Sequence, residues 1–139
     1  MANSSFEKVI EEKGELIYTN VGDSMYPLIH PRDLLVIKKP DLPLKRFDIP
    51  LYKRDSGQYV LHRIVKIKNG EYYICGDNRV GYETGITDRH IIGVLTDIVR
   101  NGEKISVYSF KNRMYARFWC SSMLLRRIVF RVRRVFGKK

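Results

Sequence analysis

From Glu15 onward the apolar residues fall in short or alternating runs: "ELIYTNV", "DLLVIKK", "IPLY", "YVLHRIVKI", "EYYICG", "HIIGVLTDIV" and "KISVYSF". Clusters rich in Pro or Gly, such as "KPDLPLK", "DSGQ" and "KNGE", punctuate them, as between the strands of a β meander. So many short strands must hide their edges. The expected fold class is therefore mainly β, with a coiled or barrel-like sheet. The sharpest turn signal is Asn69-Gly70, which predicts a hairpin within "YVLHRIVKIKNGEYYICGD".

The two ends read differently. Ser4 followed by Glu7 fits a capping box and Gly14 a stop, so a short helix is expected over residues 5–13. After Phe110 the period becomes helical. Phe118, Trp119, Leu125, Val129, Val132 and Phe136 form an apolar face, with Arg113, Arg117, Arg127, Arg131 and Arg134 away from it and a break expected near Ser121-Ser122. At 139 residues the chain holds one core, so one site is expected, on a catalytic domain of residues 1–110 followed by a helix over 111–139.

Charge follows the same division. Residues 111–139 hold ten Lys/Arg and no acid, whereas residues 1–110 hold sixteen against fifteen. A basic amphipathic tail on a nearly neutral body suits an anionic membrane surface, and nucleic acid is not expected as a partner. No apolar run is long enough to span a bilayer and the N-terminus is polar, so a cytoplasmic protein peripherally attached to the membrane is expected. Cys75 and Cys120 lack CxxC or metal-ligand spacing and read as reduced thiols, with no metal or cofactor expected.

One stretch holds a candidate for chemistry, "NVGDSMYPLIHPRDLLVIKK". A serine there becomes a nucleophile only with a base in hydrogen-bond reach. The candidate bases are His30, His62, His90 and any lysine of depressed pKa. His62 stands out because it interrupts an apolar strand, where an ionisable ring has either a task or a satisfied core position. His30 and His90 sit at loops or strand ends. Asp77 and Asp88 follow strands and can either orient a base or cap a turn.

In order and spacing, "VGDSMYPLIHPRDLLVIKK", "LHRIVKI", "GDNR" and "TDRHIIGVL" resemble the serine peptidase superfamily of type I signal peptidases and SOS-repressor self-cleaving domains. The resemblance runs from about Asn20 to Val94. It implies Ser24 as nucleophile, with Gly22, Met25 and Pro27 framing it. His62-Arg63 stands where bacterial members carry Lys-Arg, which is similar to the endoplasmic-reticulum, archaeal and sporulation branch that uses Ser-His. Gly76, Asp77 and Asn78 match the family's Gly-Asp-Asn box, and Asp88 with Gly93 its last block. For the acid orienting His62 the resemblance implies Asp88 first and Asp77 second. The Ser-His branch often carries its acid six residues past the box aspartate, where this chain has Glu83.

The chain also departs from the pattern. Arg32 and Phe47 replace glycines before Asp33 and Asp48, and Gly22 replaces a serine that serves the oxyanion in some relatives. The oxyanion hole then falls to the Ser24 N–H and one further donor. No counterpart of the family's N-terminal membrane anchor is expected.

The implied activity is that of a serine endopeptidase with a Ser-His dyad or Ser-His-Asp triad. Its implied substrate is a signal-like or leader segment of a precursor, cut after small residues. Two alternatives stand beside it: a self-cleaving regulatory module, which fifteen-odd residues before the core leave without room for a DNA-binding domain, and an inactive peptidase fold that binds a peptide or an anionic surface.

Overall fold

A computed structural model describes residues 5–136, and the chain is mainly β with a curled, half-barrel sheet and short helices. Helix α1 spans Phe6–Lys13. Its N-cap is Ser5, whose hydroxyl accepts the Lys8 N–H at 3.1 Å, while Ser4 lies outside the described residues. Such a cap contributes about 1 kcal/mol. Gly14, left-handed at φ 78°, ends the helix and returns its N–H to the Ile10 carbonyl.

Strands β1 (Glu15–Thr19), β2 (Leu34–Lys38), β3 (Pro50–Lys53), β4 (Tyr59–Leu61), β8 (Ile91–Arg100) and β9 (Glu103–Ser106) form one antiparallel sheet. Strands β5 (Arg63–Lys68), β6 (Glu71–Cys75) and β7 (Glu83–Ile86) form the other. β8 is the central strand: β2 pairs with one edge, and β3 and β9 share the other. Irregular registers at Val36/Ile37 and Leu51/Tyr52 accompany the curl. The Asn69-Gly70 hairpin forms between β5 and β6 with both residues at positive φ, as a type I′ turn requires.

α1 packs on the larger sheet through Ile10 beside Leu35, Ile37, Leu51 and Leu95. Gly93 permits this contact, because a Cβ there would lie 2.5 Å from Ile37 and 2.9 Å from Ile10. After β9 come helix α2 (Phe110–Tyr115), a wide π-type turn over Ala116–Cys120, a break at Ser121-Ser122 and helix α3 (Met123–Phe136). No helix among the described residues is long and apolar enough to cross a membrane.

Candidate active site

The turn that carries Ser24 is fastened from below and from one end. Gly22 enters it at φ 90°, and Met25 sinks its side chain into the main core. At the far end Asp33 is buried, pairs with Arg100 through both oxygens at 2.7 and 3.0 Å, and accepts the His30 N–H at 2.8 Å. Ser24 itself is half-buried, and its N–H donates to no group among the described residues.

The loop after β6 closes over this turn. Asn78 donates its backbone N–H to the Ser24 carbonyl at 2.9 Å and its side-chain amide to the Asp23 carbonyl at 3.1 Å. Arg79 pairs with the Asp23 carboxylate at 3.0 Å, and the Asp77 N–H points at the Met25 sulfur, 3.4 Å away. The serine block and the Gly-Asp-Asn block thus meet in one locality, whereas Asp88 of the last block is engaged elsewhere, with Tyr72.

His62 sits between β4 and β5, where the chain leaves one sheet for the other. Gly76 brings it beside Ser24. A Cβ on Gly76 would lie 2.7 Å from the Ser24 carbonyl oxygen and 3.2 Å from His62 Cδ2, so those two atoms are within about 6 Å of one another. No hydrogen bond joins the His62 ring to Ser24 Oγ among the described residues. Burial lowers the His62 pKa to about 4; the Arg54 and Arg79 cations push the same way, against Glu83 and Asp77.

The acids divide by location. Asp88 begins a short 3-10 turn, is exposed, accepts the Tyr72 hydroxyl at 2.5 Å and is not among the charges that act most strongly on His62. Asp77 is fully buried and its carboxylate is taken up by Arg63, both bonds at 2.9 Å, and by the Tyr115 hydroxyl at 2.9 Å. Glu83, at the start of β7, is the carboxylate with the largest influence on His62. It accepts from Tyr52 at 2.6 Å and from Arg54 at 2.7 and 2.8 Å, and Arg54 holds its pKa below the usual range.

The other histidines are engaged elsewhere. His30 lies against the Tyr26 ring. His90 is buried, accepts the Thr87 N–H at Nδ1 and sets Nε2 3.1 Å from Asp55. Both cysteines are free and buried, and no His, Cys, Asp and Glu group suited to a metal occurs among the described residues.

Sequence reasoning did not single out Arg54, Tyr52, Tyr115 or Arg126, whereas Glu83 carried a signal in its distance from Asp77. It placed Trp119 and Val129 on the outward apolar face of the tail; both are instead half-buried, and the Trp119 indole reaches the Asp77 carbonyl, because that side of the segment packs on the body. Comparison with family models, with curated proteins and with solved structures gives no match.

Proposed function

We propose that the chain is a serine endopeptidase of the signal-peptidase type, held peripherally at a membrane, that cuts a leader or signal-like segment from a precursor. The observation that carries this reading is the packing of the Ser24 turn and His62 against the same glycine, Gly76. A second observation supports the resemblance. Arg32 and Phe47, which stand where the family has glycine, both adopt left-handed backbone, φ 68° and 77°, so the glycine conformation persists without the glycine.

In this reading neutral His62 takes the Ser24 Oγ proton as the oxygen attacks the scissile carbonyl. The Ser24 N–H, which has no other partner among the described residues, serves the developing oxyanion. His62 then returns the proton to the leaving amine, giving an acyl-Ser24, and a water deprotonated by the same ring releases the acid. The Glu83 charge stabilises the imidazolium that forms in each step, with Arg54 and Tyr52 fixing its carboxylate. Selection of small residues before the cut comes from the resemblance alone.

The missing Ser24–His62 hydrogen bond favours a second reading, a peptide-binding module without turnover. Incubation with a peptide library bearing small residues at varied positions, read by mass spectrometry, separates the two. Cleavage that vanishes in Ser24→Ala supports the peptidase; peptide retention without any cleavage supports the binder.

A further inference from the structure

The C-terminal segment presents different residues to the body and to solvent. Towards the body, Trp119 Nε1 donates to the Asp77 carbonyl at 2.7 Å, and Met123 Sδ lies 3.2 Å from the Gly81 N–H. Arg126 Nη1 donates to the carbonyls of Gly76 at 2.8 Å and Arg79 at 3.1 Å. With the Tyr115 hydroxyl on Asp77, these residues grip the loop Gly76–Gly81, the same loop that holds the Ser24 carbonyl through Asn78. Tyr115, Trp119 and Arg126 are therefore positioning residues for the candidate site.

Facing away from the body, Phe118, Leu124, Ile128, Val132, Val135 and Phe136 are exposed, Phe136 to 79%. Exposed Arg117, Arg127, Arg131, Arg133 and Arg134 interleave with them, and no acid occurs in residues 111–139. A ridge of aliphatic and aromatic groups flanked by arginines matches a surface both apolar and anionic, as a bilayer is and a nucleic-acid groove is not.

The two faces are linked by what each requires. A helix of fourteen residues is marginal in water by itself, so body docking and surface binding select the same folded helix. Docking is also poised. Arg126 is fully buried with no ion-pair partner among the described residues, and its Nη2 has no hydrogen-bond partner there. Burying an unpaired cation is expensive, so a second binding partner for the docked helix shifts the balance.

We infer that an anionic phospholipid bilayer binds the outer face of α3 and, by holding the helix docked, tightens the Gly76–Gly81 loop on the Ser24 turn. This deepens the peptidase reading, on which only the Ser24 labelling arm of its test rests.

The test uses the full chain with vesicles of phosphatidylcholine alone or mixed with anionic phosphatidylglycerol. Co-sedimentation reports binding, hydrogen exchange of the Asn78 amide reports the loop, and labelling of Ser24 by a fluorophosphonate reports the site. The protein should sediment with the anionic vesicles only. Asn78 exchange should then slow by at least about fivefold, the lower end of ordinary coupling between linked sites, and labelling should speed up with it. Ile128→Ser with Val132→Ser should lose both sedimentation and the slowing. Trp119→Phe should still sediment yet exchange Asn78 faster than the wild type; if it unfolds, Tyr115→Phe, which removes one hydroxyl, supplies the comparison. Failure to sediment, or equal sedimentation with both vesicles, overturns the anionic bilayer as partner. Sedimentation with unchanged Asn78 exchange overturns the coupling. A response at Asn78 with no Ser24 adduct leaves the coupling standing and removes the peptidase reading.

Discussion

Gly76 and Ser24 approach so closely that a single methyl on the glycine would meet the serine's carbonyl oxygen at 2.7 Å. The same methyl would press on His62 Cδ2 at 3.2 Å, so Gly76→Ala should move the proposed nucleophile and base apart. A displacement of that order costs about 100-fold in turnover, whereas such overpacking costs stability only about 1–3 kcal/mol. Peptide cleavage measured beside thermal unfolding checks the split. Wild-type turnover in a folded Gly76→Ala protein would remove Gly76 from the site.

Because His62 has its pKa lowered to about 4, it should remain a competent base in mildly acidic solution. The acid limb of activity belongs near pH 4, below the ordinary imidazole value of about 6.5. The same shift has a stability consequence. Between the two values the unfolded chain binds the proton and the folded chain does not, so stability falls as pH drops from about 6.5 towards 4, by up to roughly 3 kcal/mol. In His62→Gln this part of the pH dependence of unfolding should disappear; its persistence would assign it to other groups.

Arg54 contributes to that low value both directly and by engaging Glu83. Arg54→Gln should therefore move the acid limb of activity upward, towards about pH 6.5, without abolishing turnover. An unmoved limb in the variant would detach Arg54 and Glu83 from the base.

The strands and the Asn69-Gly70 hairpin were legible because alternation and type I′ turn chemistry are local. Asn101-Gly102, at φ 54° and 79° between β8 and β9, carries the same chemistry, but its strands were not paired from sequence. Ser24 and His62 were legible as motif residues, and their shared packing against Gly76 needed the fold. That Glu83 is the carboxylate acting most strongly on His62 was not readable from motif order, because it depends on the pairing of β6 with β7. In the tail the helical period and the break were readable. That Arg126 points inward was not, since periodicity counts a cation as outward-facing while the carbonyls that receive it lie some fifty residues away.

Asp77 has a structural duty, which sets a different expectation for its removal. Asp77→Ala leaves the buried Arg63 without its carboxylate, and breaking such a pair costs about 3–5 kcal/mol. Chemical denaturation should show that loss. A change below about 1 kcal/mol would mean the pair is hydrated and dispensable.

Arg32 is exposed and left-handed at φ 68°. Glycine relieves a steric cost of about 1–2 kcal/mol at such a position and forfeits about 0.5–1 kcal/mol in unfolded-chain entropy. Arg32→Gly should thus stabilise the fold, by up to roughly 1.5 kcal/mol on these figures. A destabilised variant would show that the Arg32 side chain makes a contribution larger than its strain.

If His62 activates Ser24 as proposed, the rate of fluorophosphonate addition to Ser24 must follow the charge state of the His62 ring. One adduct is expected, on Ser24, formed at a rate that falls only as pH approaches about 4 and drops by about 100-fold or more in His62→Gln, the scale of lost general-base assistance. An absent Ser24 adduct, or one formed equally fast without His62, would contradict that activation.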